Sequence, residues 1–206
     1  TALFATSVAV EGELVLYHWF KYMPQELLEK FTAETGVNVT MDTYDSNEPM
    51  LASPKAGGMG TYDLAVPGDY MVEIMAGEGL LDTIAEGELS NKGNIAAEWA
   101  DPSFDPGRKH SIPYQWGSTA FAVDTDAFSG AINTTDILFN PPAELSGKIN
   151  MLDSQGEVLA MASLHMGIPQ CSTDRAQLSA LNDMLQEAKT HWASFNSDTA
   201  KEVLVS

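Results

Sequence analysis

Short strand-like runs alternate with helical runs along this sequence, a pattern that admits few solutions other than an α/β fold, with helices packed on a sheet. Residues 14–19 (LVLYHW) form an apolar run of strand-forming residues. Pro24 suits a first helical position, and in the QELLEKFTAETG that follows, Leu27, Leu28 and Phe31 share one face before a natural stop at Gly36. Residues 37–44 (VNVTMDTY) alternate as a strand does. A helix capped by Ser46 or Asn47 is predicted toward Ala56, then a turn at 57–60 (GGMG), a strand over 62–66 stopped by Pro67, and a helix over about 69–76. Residues 82–111 are polar and rich in Gly, Asp, Asn and Pro, and read as a long surface connection. Strand character returns over 112–123 and 147–152. Helices are predicted over 158–166 and, from a capping-box-like Asp174 and Gln177, on to Lys189. The apolar KEVLVS after the loop-like FNSDT begins an element with nothing behind it, so a truncated chain is expected.

Composition narrows the function. Hydrophobic residues make up 44% of the 206, ample for a packed core and for one or two domains. Lys and Arg number 10 against 29 Asp and Glu, a formal net charge of -19. A chain this acidic lacks the basic face that nucleic acid needs, and it is repelled by anionic membrane surfaces. A cationic partner fits, and so does charge that serves solubility alone. Residues 1–10 (TALFATSVAV) are uncharged and too short for a bilayer, which takes about 20 residues. They read as the tail of a secretory signal peptide with a small-x-Ala site at Ser7-Val8-Ala9, or as a buried first strand. The lone Cys171 has no internal partner, and no Cys/His spacing points to a metal.

No nucleophile elbow, HExxH, phosphate loop or dinucleotide fingerprint occurs, the four histidines are scattered, and no carboxylate pair stands out, so nothing supports catalysis or a cofactor. Binding is better supported, because ligands of open α/β sheets sit at strand ends. Trp19 and Tyr22 follow the first strand; Gly68, Asp69 and Tyr70 follow the third; Asp153, Ser154 and Glu157 follow the 147–152 strand. Aromatic faces beside carboxylates suit an alkylammonium group: cation–π contacts contribute about 0.5–2 kcal/mol and charged hydrogen bonds about 1.5–3 kcal/mol. Each aromatic also fits core packing, and each carboxylate a helix cap or solvated surface, Asp69 as an N-cap above all.

At these residues the sequence resembles the periplasmic spermidine/putrescine-binding proteins of polyamine ABC importers. The resemblance runs from about residue 14 to 198 through LVLYHWFKYMPQELLEKFTAETGVNVTMDTYDSNEPM, YDLAVPGDYMV, FDPGRKHSIPYQWGSTAFAVD, LDSQGEVLAMASLHMG and ASFNSD. It implies a periplasmic-binding-protein-like fold of two α/β lobes that close on the ligand. Residues 1–11 are then a signal remnant, 12–122 most of lobe one, and 123–206 the start of an incomplete lobe two. An incomplete sheet would leave apolar surface exposed, so the isolated chain is expected to aggregate. The resemblance further implies a non-catalytic exported protein, monomeric at full length, that hands a polyamine to a membrane permease. A sensing adaptor on the same fold, or a binder of another small amine or zwitterion, are the alternatives.

Carried over position by position, Trp19 and Tyr22 match the family's aromatic pair, Tyr70 an aromatic position after the third strand, and Glu157 the acid that addresses an amine. Asp153 matches a neighbouring acid that alternatively caps the helix. Ser46, Asn47 and Glu48 match a YxSNE run, read as helix capping and lobe structure. Departures are Phe20 and Lys21, where relatives commonly carry Ser or Thr and then an acid, Gly68 for the usual Ser, and Ser154 where an acid can stand. Asp69, pairing with Lys21 or reaching the ligand, is the candidate compensation. The departures point to a retuned ligand, such as a shorter amine or a zwitterion whose carboxylate meets Lys21, or to a Lys21 that faces solvent.

Overall fold

The computed structural model describes residues 12–53, 60–85 and 87–205; the expected signal remnant and most of the GGMG turn lie outside them. The chain divides into two compact units between Gly117 and Ser118.

The first unit is built on a parallel sheet with strand order β2-β1-β3. β1 (Gly12–Trp19) lies against β2 (Val37–Tyr44) over its whole length, from Gly12 opposite Val37 to Trp19 opposite Tyr44. Between them runs α1 (Gln25–Thr35), and the residues that bracket it set its ends. Pro24 holds the N-cap at φ -65°, and Gly36 takes φ 79° so that its N–H reaches Thr32 O at 2.8 Å, the left-handed stop that glycine adopts without a steric cost. α2 (Asn47–Ser53) leads toward β3 (Leu64–Ala65), shorter than predicted, because only these two residues sit in the ladder. Its flanks are still tied to β1: Asp63 N–H donates to Val15 O at 2.9 Å, Val15 N–H to Asp63 Oδ2 at 2.7 Å, and Val66 N–H to Tyr17 O at 3.0 Å. α3 (Asp69–Gly77) then buries Met71, Val72 and Met75. Tyr17, Tyr44, Met50, Met71 and Met75 form the core here, with Trp19, Tyr62 and Tyr70 packed on its margin.

The described residues of 82–111 are largely exposed, as expected of a surface connection, but with a buried centre that composition does not reveal. Apart from a 3-10 turn over Lys92–Asn94 and the single-turn α4 (Ala97–Ala100), the segment is irregular, yet it closes around Asp105 and Arg108, each only 3% exposed. Asp105 accepts from the N–H groups of Lys109, His110 and Ser111 and from Ser111 Oγ, the last at 2.7 Å. Arg108 donates to Trp99 O through Nε at 2.9 Å and Nη2 at 2.7 Å. Burial opposes the charge on Asp105, but the donors around it prevail and hold its pKa below the ordinary value. The strand expected over 112–123, a segment that runs past the unit boundary, does not form: none of its residues enters a ladder, and Trp116 is 74% exposed. Strand-forming residues make a strand only where another strand offers its backbone, and none among the described residues pairs with them.

The second unit pairs β4 (Ile149–Met151) with β5 (Trp192–Phe195) in parallel. Helices α6 (Gln155–Met166) and α7 (Arg175–Ala188) connect them, with the short α5 (Asp136–Phe139) ahead of β4 and α8 (Ala200–Leu204) after β5. Phe128, Ile137, Leu138, Phe139, Ile149, Met151, Ala162, Leu181 and Ala188 are its core. Asp174 caps α7 as predicted, accepting from the N–H groups of Ala176 and Gln177. The reciprocal half of the box is absent: the Gln177 side chain accepts from Ser172 Oγ at 2.6 Å, and Ser172 Oγ in turn takes the Asp174 N–H at 3.2 Å. α6 starts three residues earlier than the apolar period indicated, since Gln155 and Gly156 carry no stripe residue and the turn they form is invisible to periodicity.

Candidate functional site

In the first unit the C-terminal ends of the parallel strands bring three aromatic rings together. Trp19 ends β1 and Tyr44 ends β2, and their register places the rings 4.9 Å apart. The Tyr22 ring lies 6.3 Å from that of Trp19 and is 53% exposed. Trp19 Nε1 donates to Val66 O at 2.7 Å, and the Tyr44 hydroxyl donates to the same carbonyl. The polar edges of both rings are thereby engaged inside the protein; buried Tyr44 backs the half-buried Trp19 ring, whose face is what the pair offers a ligand. Burial, then the neighbouring Tyr17, pushes the Tyr44 phenol well above its ordinary pKa.

Tyr70, in the first turn of α3, sits in a chain of side-chain bonds. Its hydroxyl donates to Glu48 Oε1 at 2.8 Å and accepts from Asn47 Nδ2 at 3.1 Å, while Gly68 N–H donates to Asn47 Oδ1 at 2.9 Å. Of the reading of Ser46, Asn47 and Glu48 as helix capping and lobe structure, Asn47 and Glu48 follow the second part: α2 begins at Asn47, and both side chains bond to the α3 start. Their side chains cross from the start of α2 to the start of α3, and Asn47 is 4% exposed. The N-cap of α3 is Gly68, not Asp69; exposed Asp69 accepts from Tyr70 N–H at 2.7 Å. Gly68 has a reason to be glycine, since a Cβ there would stand 2.8 Å from Asn47 Nδ2. Lys21 and Phe20 are exposed in the turn between Trp19 and Tyr22; Lys21 adopts φ 62°, and its Nζ lies 5.2 Å from the Phe20 ring centre.

In the second unit, Asp153 and Glu157 follow the end of β4, both exposed, with Glu157 in the first turn of α6 and Ser154 at its N-cap. Beneath them the strand ends are latched by neutral groups. Ser194 Oγ donates to Asn150 Oδ1 at 2.7 Å, Asn150 Nδ2 to Asn196 O at 2.9 Å, and Asp153 N–H to Ser197 Oγ at 3.0 Å. Trp19, Tyr22, Asp69 and Tyr70 thus share one strand-end face, and Asp153 and Glu157 share another. Sequence reasoning passed over Tyr44, Asn47 and Glu48 as contributors to the first face. Tyr44 was readable from its place as the aromatic that ends the second strand. Among the described residues no group of His, Cys, Asp or Glu gathers as a metal site requires, and no helix is long and apolar enough to cross a membrane.

Comparison with known proteins agrees with this architecture. The chain is 38% identical over 186 residues to the spermidine/putrescine-binding periplasmic protein of Escherichia coli, covering 90% of this chain and 53% of that protein. It is 32% identical over 202 residues to spermidine/putrescine-binding periplasmic protein 1 of Haemophilus influenzae, covering 97% of this chain and 56% of the relative. The chain therefore spans about half the length of the curated relatives it matches. Among solved structures, the TpPotD lipoprotein of Treponema pallidum superposes with a TM-score of 0.79 at 30% identity, covering 91% of this chain and 58% of that one. The spermidine/putrescine ABC transporter substrate-binding protein PotD of Streptococcus pneumoniae gives 0.69 at 34%, covering 94% and 59%. The fold is that of the two-lobed periplasmic binding proteins. Residues 26–202 match the model of the bacterial extracellular solute-binding proteins, and the chain belongs to that family.

Proposed function

We propose that this chain belongs to a periplasmic solute-binding protein, exported by a signal peptide, that captures a putrescine- or spermidine-like cation and delivers it to the permease of an ABC importer. The supporting observation is the aromatic face at these strand ends, where Trp19 and Tyr22 pack over buried Tyr44 and Tyr70 stands beside Asp69 and Glu48. Ring faces whose polar edges are already satisfied suit an alkylammonium chain. Relatives that cover most of this chain are named for binding spermidine and putrescine, and one from Pseudomonas aeruginosa, 28% identical, for putrescine and cadaverine. In this reading Trp19 and Tyr22 pack on the methylene chain and ammonium group, Tyr70 accepts a hydrogen bond, and Asp69, Asp153 and Glu157 supply negative charge. The protein acts as a monomer, binds without a chemical step, and needs no cofactor.

The test is calorimetric titration of the intact protein with putrescine, spermidine, agmatine and a panel of amino acids. Micromolar binding of a diamine or triamine, about 8 kcal/mol, is expected. Binding confined to amino acids would transfer the assignment to a zwitterion whose carboxylate meets Lys21. Amine binding without stimulation of uptake by a reconstituted permease would favour the sensing role.

A further inference from the structure

The direction of every hydrogen bond around Tyr70 is fixed by one backbone group. Gly68 N–H can only donate, so the Asn47 carboxamide must turn its oxygen toward it, at 2.9 Å. Its nitrogen, a donor only, therefore faces the Tyr70 hydroxyl at 3.1 Å. The phenol must accept there, and its single proton goes to Glu48 Oε1 at 2.8 Å. A phenol has one proton and two lone pairs. With the proton and one lone pair committed, one lone pair remains, and the Glu48 carboxylate at the other end of the O–H makes that oxygen a stronger acceptor. Burial, together with the bond to Glu48, pushes the Tyr70 phenol up to about 12, so the proton stays in place at neutral pH.

We infer that Asn47 and Glu48 are positioning residues that commit the Tyr70 hydroxyl to accept, so that this end of the site takes a donor-only ammonium and rejects a carboxylate or carbonyl. The absent Cβ of Gly68 is part of the device, since Asn47 Nδ2 occupies the space a side chain would enter. The inference rests on the proposed amine-binding function, with Tyr70 touching the ligand.

The experiment measures dissociation constants of putrescine and γ-aminobutyrate, chains of equal carbon number, for the intact wild-type protein, Glu48→Gln, Tyr70→Phe and the double variant. In Glu48→Gln the new amide can donate to the phenol and release its proton outward. Putrescine binding is expected to weaken roughly five- to tenfold, the worth of one hydrogen bond, and the preference for putrescine over γ-aminobutyrate to shrink by a similar factor. In the Tyr70→Phe background the same substitution is expected to change both by less than about twofold. A Glu48→Gln protein that binds both ligands as wild type does, or an effect that persists undiminished without the Tyr70 hydroxyl, overturns the inference and leaves the amine-binding function standing. Absence of any amine binding by the wild type overturns both. Should Glu48→Gln fail to fold, Tyr70→Phe alone carries the test, because an unchanged ligand preference in that variant also overturns the inference.

Discussion

The strand ends of the two units are built on opposite plans. In the first, the partly exposed rings are locked onto the core: Trp19 shares the Val66 carbonyl with buried Tyr44, and Tyr70 is held by Asn47 and Glu48. In the second, neutral Asn and Ser side chains latch the strands, while the carboxylates of Asp153 and Glu157 stand exposed above them. Under the proposed function, residues of the first face would serve folding and recognition together, and those of the second recognition alone. Substitutions should therefore cost stability on one face and spare it on the other.

Trp19→Ala puts the most at stake. It removes a ring packed on Tyr44 and orphans part of the Val66 carbonyl's bonding, so a loss of about 3–5 kcal/mol is expected in urea unfolding, along with amine binding. Glu157→Gln is the contrasting arm. It should shift the unfolding midpoint by less than about 0.5 kcal/mol while weakening amine binding at least tenfold. Equal stability losses in the two variants would erase the distinction between the faces.

Asp105 extends the comparison to a charge that serves the fold alone. Asp105→Ala strands three backbone N–H groups and Ser111 in a closed loop, and about 2–4 kcal/mol of stability should go with it. The pH dependence follows from the lowered carboxyl pKa. A folded-state value below the unfolded one contributes stability that is fully present above the unfolded value, about 3.9, and is lost as pH falls through the folded one. Acid titration of unfolding should show the wild type ahead of Asp105→Asn at pH 6, with the gap narrowing as pH falls below the ordinary carboxyl value. A constant gap across that range would mean that the carboxylate's charge is not what the loop uses.

How far the sequence foretold these faces depends on whether the cause was local. β1, α1 and β2 were legible because Pro24 and Gly36 punctuate a change of hydrophobic period, and Trp19 and Tyr22 because aromatics directly follow a strand. The Asp174 cap was legible for the same reason. The bonds from Asn47 and Glu48 to Tyr70 span more than twenty residues, and no spacing rule reveals that α2 and α3 begin side by side. Residues 112–123 carry strand-forming side chains, but pairing is decided by what lies alongside. Asp105 was hidden by composition: a loop rich in Pro, Gly and Asp looks solvated until one carboxylate collects its donors.

Gly68→Ser probes the first face more gently. The new Cβ collides with Asn47 Nδ2, so the carboxamide has to leave either Gly68 N–H or the Tyr70 hydroxyl. About 1–2 kcal/mol of stability should be lost for one buried bond, read by thermal unfolding, unless the serine hydroxyl replaces it. A stability gain would show that Asn47 is the more adaptable partner.

Ser197→Ala carries the smallest effect and tests the second face where it meets its latch. Ser197 Oγ accepts the N–H of Asp153 at 3.0 Å, a neutral bond at an exposed position, and Asn196 N–H still donates to Met151 O at 2.9 Å without it. Stability should fall by only about 0.5–1 kcal/mol, because water takes over the freed N–H. If the latch exists to aim Asp153, amine affinity should nevertheless drop severalfold, a loss out of proportion to the stability change. The same substitution in an Asp153→Asn background should then change affinity little, since the charge being aimed is gone. Affinity and stability falling in proportion would mean that the latch only holds β4 to β5, and that the exposed carboxylates recognise their ligand without being oriented by the strand ends beneath them.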